Sequence, residues 1–481
     1  MGPVAIPGDR LYGAQTSRAV ANFPVSGQGI GREMIRALGL IKLAAARVNR
    51  RLGLLEPGLS RAIGAAARQV AAGALDDHFP VDVFQTGSGT SSNMNANEVI
   101  ANVANLRLGS AIGARHPVHP NDHVNLGQSS NDVFPSAIQV ASACVAQERL
   151  IPALELALAE LTRAAGRFSR VIKVGRTHLQ DATPIRLGQE FSGYASQVSH
   201  ATAGVRAALE GLLELPLGGT AVGTGINAHP EFGAMAARQL ARLTGLPFRE
   251  APDHFAAQAS LDRIVAMSAA LRSVAIAFTK IANDIRWMGS GPRLGLAELR
   301  IPDLQPGSSI MPGKVNPVVA EALLMVCAQV VGNDAAIAHA GMSGNFELNV
   351  MMPLAARNLI EQVRLLSAAT RLFAEKLLRG LEANADRIAE RVEQSLAMAT
   401  ALVPLVGYDK AAALARESER TGRTIRELAL AEKLLPRSVL ARVLDPETLA
   451  GPPSPRPWPR HSQRVTPSSP RRGKKGQGGR Q

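Results

Sequence analysis

The sequence predicts an all-α protein whose centre is an elongated bundle of long helices. Three observations lead there. Apolar residues recur with helical period over segments far longer than the ordinary globular helix of about 11 residues. The clearest segment spaces Leu271, Val274, Phe278, Ile281 and Ile285 alternately three and four apart, which makes one continuous seam. Strand signals are sparse and no strand–helix alternation runs along the chain, which argues against a doubly wound sheet or an α/β barrel. Alanine replaces the scarce aromatics, only 4% of 481 residues, and small side chains let helices approach closely.

Residues 1–122 mix shorter helices with loops and read as an N-terminal domain. Residues 123–381 hold the bundle, with long helical patterns at about 135–168, 187–213, 257–288, 317–339 and 351–378. Residues 382–451 carry short helices and turns such as "GYDK" and "TGRT" and read as a small C-terminal helical domain. Residues 452–481 are rich in Pro, Ser and Gly, with Trp458 as the one large apolar residue. Such a tail buries too little surface to fold, and it reads as a disordered appendage or a reading-frame extension.

Eight of the charges behind the formal net +14 are basic residues from Arg456 onward, where no acid offsets them. About +6 remains on the rest of the chain, a weak argument for a nucleic-acid partner. Cys144 and Cys327 lie in apolar helical contexts, so a disulfide framework and a zinc ribbon are both excluded by count. The N-terminal residues lack a basic segment followed by an apolar run, and no uninterrupted apolar run reaches the roughly 20 residues of a membrane span. We therefore expect a cytoplasmic protein with no membrane segment.

Four polar clusters interrupt the helical background: "TGSGTSSNMNANE" (86–98), "HPNDHVNLGQSSND" (119–132), "GRTHLQDATP" (175–184) and "GSSIMPGKVNP" (307–317). Each reads as the approach to a helix. Ser, Thr and Asn are ordinary N-caps there, and capping suffices for any single cluster. Four together suit an anion, because helix starts offer unpaired N–H groups and a partial positive charge. Phosphate-loop readings fail on spacing: five residues instead of four separate Gly307 from Gly313, and Val315 follows Lys314 where a hydroxyl is needed. "GGTAVGTG" (218–225) lacks the strand and crossover of a dinucleotide loop. His119, Asp122 and His123 lack a third ligand at a recognised metal spacing.

In the last cluster Pro317 suits the first helical position, which makes Asn316 the N-cap and puts Glu321 one turn in. Lys314 then sits beside a helix start and can bind a carboxylate by charge and by dipole. Residues 307–309 form a flexible segment able to close over that carboxylate. Ser308 has no neighbouring histidine, and His178 is the candidate distant partner.

"GSSIMPGKVNP" resembles the signature loop of the fumarase/aspartase superfamily, and the other clusters match it in order from about residue 8 to 452. The similarity is closest to class II fumarate hydratases, on "GRTHLQDATP", "HPNDHVN", "QSSND", "GTAVGTGINAHPEF", "SGNFELNV" and "GYDKAA". It implies a three-domain helical fold and reversible stereospecific hydration of fumarate to L-malate in the tricarboxylic acid cycle, with no metal or organic cofactor. It further implies a homotetramer whose active sites are each shared between three subunits. Carried over by motif, Ser308 is the base, with Lys314 and loop N–H groups favouring its alkoxide. His178 is the partner acid/base acting through a water, and Glu321 orients it. Ser88, Gly89, Thr90, Ser129, Ser130, Asn131, Thr177, Ser309, Lys314, Val315 and Asn316 are implied to hold the substrate. His119, Pro120, Asn121 and Asp122 match the family's second dicarboxylate site.

Two departures stand out. Leu126 and Gly127 occupy places where many family members have Lys-Ser, and Arg115 is displaced from "PVHPND" by His116. An aspartate ammonia-lyase of the same fold is the nearest rival, opposed by His178 and Gly313. A non-catalytic dicarboxylate-binding member is the other, opposed by the intact set Ser308, Lys314, Asn316, His178 and Glu321.

Overall fold

The computed structural model describes residues 2–452, so the expected disordered tail lies outside the described residues apart from Pro452. The N-terminal part contains helices α1 (Ala14–Asn22), α2 (Arg32–Arg51), α3 (Pro57–Ala72) and α4 (Thr90–Arg107). Glu98, buried on α4, caps α1 by accepting the backbone N–H groups of Gly13, Gln15 and Thr16.

Helices α5 (Ser130–Val145) and α6 (Ile151–Arg167) form one run interrupted by a π turn at Ala146–Leu150. Pro152 has no N–H to return to the carbonyl of residue 148, and a wider turn is a usual response to such a gap. A hairpin follows, β1 (Ile172–Thr177) against β2 (Gln180–Arg186), and then α7 (Leu187–Leu212). Two-residue strands β3 (Glu214–Leu215) and β4 (Arg249–Glu250) pair in parallel on either side of α8 (Phe232–Thr244).

The segment expected to be helical from 257 to 288 is broken. Helix α9 (His254–Ala259) ends at the extended Ser260, whose hydroxyl accepts the N–H of Asp262 at 3.1 Å, and α10 (Asp262–Met288) starts afresh. Strand β5 (Leu299–Arg300) precedes α11 (Val318–Gly341) and α12 (Met352–Leu372), and pairs antiparallel with β6 (Glu382–Ala383).

Helices α6, α7, α10, α11 and α12 pack side by side as the bundle. Leu271, Val274, Phe278, Ile281 and Ile285 are all buried, as their spacing requires. Phe278 meets Phe373 edge to face, with ring centroids 5.9 Å apart. Ser268, Arg272, Asp334 and Gln362 form a hydrogen-bonded polar knot across α10, α11 and α12. Helices α10 and α11 have the length and apolar composition of membrane spans, yet less than half of either is buried within the chain. Ile276, Trp287, Met325 and Val331 stay exposed on them.

Short helices α13 (Ala385–Gln394), α14 (Val403–Val406), α15 (Tyr408–Thr421), α16 (Ile425–Ala431), α17 (Arg437–Val443) and α18 (Pro446–Leu449) complete the fold. Their own small core, including Met398, Leu402, Leu414 and Leu428, closes over Val174 of β1.

Two local expectations need correction. "GRTHLQDATP" does approach a helix, α7 starting at Leu187 with two residues between, but it is folded as the turn and second strand of the β1–β2 hairpin, so His178 sits at a hairpin tip and not at a helix start. Pro317, not Asn316, is the N-cap of α11, with no side-chain cap bond there, and Asn316 donates its side-chain amide to the carbonyl of Gly307 at 2.6 Å.

Candidate active site

The 307–317 loop is tied at its base. Gly307 donates its N–H to the Lys314 carbonyl at 2.8 Å, and Lys314 donates to Met311 at 3.3 Å. A side chain at 307 would place its first carbon 2.3 Å from the Lys314 carbonyl oxygen, so only glycine permits this closure. Within the loop the Ser308 hydroxyl oxygen accepts two backbone N–H groups, Ile310 at 3.2 Å and Met311 at 3.0 Å. Two donors on one oxygen favour its charged form, as in an oxyanion hole. Ser308 and Lys314 line a cavity of about 470 Å³ with Asp303 and Gln305. Glu321 lies in the first turn of α11 and Ser309 and Val315 are exposed.

His178 and Leu179 are the two central residues of the β-hairpin turn, at φ 55° and 61°. Paired left-handed residues match a type I′ turn, which twists with its strands. Asn-Gly is the usual occupant, and a leucine there carries strain. The turn holds Thr177 and His178 out into solvent. Its base is an ion cluster: Lys173 lies 2.9 Å from Glu190 and 3.1 Å from Glu298, and Arg176 lies 2.8 Å from Glu298.

The other two clusters meet each other. Ser88 and Thr90 hydroxyls are 2.8 Å apart around Gly89, whose φ of 72° starts α4. A side chain at 89 would sit 2.2 Å from the Phe134 ring of α5. Ser129 caps α5 in a reciprocal box with Asp132, and Asn131 donates to the Ala221 carbonyl at 2.8 Å. Asp132 also accepts the N–H groups of Gly218 and Thr220, both at 3.0 Å, which gives "GGTAVGTG" an anchoring role. Burial pushes the Asp132 carboxyl upward, and its three amide donors and Lys42 oppose that shift.

Behind these hydroxyls lies a polar layer that the motif reading missed. Lys42, fully buried on α2, donates to Asn125 at 2.8 Å and Gln128 at 3.0 Å. Asn93 donates to Asn125 at 3.2 Å and to the Ser130 hydroxyl at 3.0 Å. One signal was present in the sequence: Lys42 falls on the apolar face of α2, a turn after Leu38 and a turn before Ala46, where a solvated lysine does not belong.

At 119–122 the His119 ring nitrogen accepts the N–H groups of Asn121 and Asp122, and the Asp122 carboxylate approaches it at 3.2 Å. Pro120 is buried beneath. This turn satisfies itself. Burial pushes the neighbouring His123 downward.

The candidate residues thus form two groups. Gln258, just before α10, donates to the Thr220 carbonyl, whereas Met288, at the far end, touches Lys173 of the hairpin base. Helix α10 has 27 residues, and at 1.5 Å each it is about 40 Å long. Ser88, Gly89, Thr90 and 129–131 therefore lie near one end of the bundle, and His178, Thr177, Ser308, Lys314, Asn316 and Glu321 near the other. Among the described residues no hydrogen bond or ion pair joins Ser308, Lys314, His178 or Glu321 to one another. No group of three His, Cys, Asp or Glu side chains is placed to hold a metal among the described residues.

Comparison with known proteins gives two family matches, a lyase model over residues 2–332 and the fumarase C C-terminus over 398–451. The class II fumarate hydratase of Methylorubrum extorquens is 51% identical, over 94% of this chain and 96% of that one. That of Ralstonia nicotianae is also 51% identical, over 94% and 98%. Among solved structures, recombinant class II fumarase from Schistosoma mansoni superposes with a TM-score of 0.90 at 40% identity, covering 92% of this chain and 96% of that one. A fumarate lyase/delta crystallin from Brucella melitensis, bound to cobalt in that crystal, gives 0.88 at 43% identity, covering 93% and 97%.

Proposed function

The chain belongs to the class II fumarate hydratase family and is a hydro-lyase, and from that premise we propose how its residues carry the reversible interconversion of fumarate and L-malate. In the malate direction the Ser308 alkoxide removes the proton from the methylene carbon. The electron pair moves into the adjacent carboxylate, giving a doubly charged intermediate. Its charge is balanced by Lys314, by Asn316 and by helix-start amides. The hydroxyl then leaves from the neighbouring carbon as water, protonated through an ordered water that His178 holds, with Glu321 orienting the imidazole. The observation that carries this reading is the Ser308 oxygen, held by two backbone N–H groups in the loop that also presents Lys314.

Ser88, Gly89, Thr90, Ser129, Ser130, Asn131, Thr177, Ser309 and Val315 complete the substrate cradle in this proposal. The roughly 40 Å between the two residue groups supports a site built from three chains of a homotetramer. The exposed apolar faces of α10 and α11 supply the packing surface. Residues 119–122 form the second dicarboxylate site, a turn whose Asn121 and Asp122 N–H groups are held by the His119 ring nitrogen. A cytoplasmic location and a place in the tricarboxylic acid cycle belong to the same proposal.

The test is to incubate the purified full chain with L-malate and, separately, with L-aspartate, and to follow fumarate absorbance. Fumarate from malate alone supports the hydratase. Fumarate from aspartate, or from neither, overturns it.

A further inference from the structure

The 125–128 segment, which leads into the proposed carboxylate cradle at 129–131, has no cationic side chain of its own: it reads Asn-Leu-Gly-Gln. A cation nevertheless reaches it from beneath. The Lys42 ammonium bonds to Asn125 and Gln128, and its stem is sealed by the core of α2. Asn125 is the hub. Its side-chain oxygen receives Lys42 and also Asn93 and Asn97, each at 3.2 Å, while its own amide donates to the Gln128 carbonyl at 3.0 Å. Asn93 spans from that oxygen to the Ser130 hydroxyl. Lys42 is thus connected to the cradle twice, through the backbone of Gln128 and through Asn93.

We propose that Lys42 is a positioning residue for dicarboxylate binding, fixing the 125–131 segment through Asn125 and Gln128 and setting a buried positive charge behind the Ser129, Ser130 and Asn131 cradle. This rests on the hydratase reading given above. Burying a lysine among amides is costly, and such a group is retained where its charge faces an anion. The charge then has to be present for tight binding.

Its protonation falls within the working range. Burial pushes Lys42 down to about 7, and Asp132 of α5 pulls the other way. The remaining charged groups on elements packed against it are engaged elsewhere or exposed: buried Glu98 of α4 accepts the α1 N–H groups and buried Glu33 of α2 faces Arg364. Arg47 and Arg50 on α2, Arg61 and Arg68 on α3, Arg238 and Arg242 on α8, and Asp122 on the 120–124 turn are all exposed. His123 on that turn is half-buried, and the α4 side chains that bond to Asn125 are the neutral amides Asn93 and Asn97. A dianionic ligand in the cradle favours the ammonium, so binding above pH 7 takes up a proton.

The experiment compares wild type, Lys42→Met and Lys42→Arg in the full chain. For L-malate, KM of wild type should rise several-fold between pH 6.5 and 8.5. Lys42→Arg, whose charge persists, should show a flat profile over that range. Lys42→Met should have KM raised about tenfold or more at pH 6.5 with kcat within about threefold. Calorimetry with succinate, an unreactive dicarboxylate, should show proton uptake at pH 7.5 in wild type and less in Lys42→Arg. A wild-type KM in Lys42→Met, or identical pH profiles and proton uptake in wild type and Lys42→Arg, overturns the proposal. Should Lys42→Met fail to fold, the arginine comparison decides. Should wild type convert no malate, the hydratase reading fails, and succinate calorimetry still judges Lys42.

Discussion

The Glu298 carboxylate lies 2.8 Å from the Arg176 guanidinium, one residue before Thr177, and 3.1 Å from the Lys173 ammonium. It thereby joins the hairpin that carries His178 to the segment that leads into the 307–317 loop. Glu298 and Lys173 are almost wholly buried, so cutting the link leaves buried Lys173 with Glu190 alone and takes from Arg176 its carboxylate. Glu298→Ala should destabilise the protein by about 3–5 kcal/mol. Denaturant unfolding checks this, and a change below about 1 kcal/mol would remove the cluster from the stability account.

Ser308→Ala should reduce turnover by about a thousandfold or more, because no other group in the loop can take the proton. Its hydroxyl caps two amides of an exposed turn, so the unfolding midpoint should barely move. Turnover near that of wild type would exclude Ser308 as the base.

At the hairpin tip, chemistry and conformation can be separated. His178→Asn keeps a residue tolerant of the left-handed region but should lower kcat by about 10² or more. Leu179→Gly relieves a φ of 61° and should stabilise the isolated hairpin geometry by about 1 kcal/mol. Calorimetric unfolding of both variants distinguishes the two effects.

Lys42 also links stability to pH. Below about pH 7 both folded and unfolded chains hold its proton, and above about 10.5 neither does. Between these limits the unfolded chain binds more protons, so stability should rise with pH by up to about 1.4 kcal/mol per unit from this group. Lys42→Met removes that slope. Urea unfolding of both proteins at pH 7, 8 and 9 measures the difference, and parallel curves would contradict the buried, proton-shedding amine.

The proposed sharing of each site between chains makes a distinctive prediction. Ser308→Ala and Ser129→Ala proteins, each inactive, should regain measurable turnover after being unfolded and refolded together. Persistent inactivity of mixed assemblies would favour a site contained in one chain.

Much of the bundle was legible because burial imposes a 3.6-residue period, and the Leu271 to Ile285 seam obeys it throughout. The hairpin was not. "IKVGRT" and "QDATPIR" are short and broken by Gly and Pro, and His178-Leu179 stands where the turn's familiar Asn-Gly signal would be. Motif resemblance pointed to hydroxyl and amide residues but passed over Lys42, Asn93 and Asp132, whose contacts reach partners up to 88 residues distant in sequence. Tertiary contact, not local pattern, brings them together.

The rod-like spacing imposed by α10 has a consequence for how activity depends on amount of enzyme. On the proposed roles, a lone chain would hold its proton-abstracting loop and its carboxylate cradle about 40 Å apart and would be chemically silent. Dilution below the dissociation constant of the assembly should switch the activity off, and specific activity should return on reconcentration.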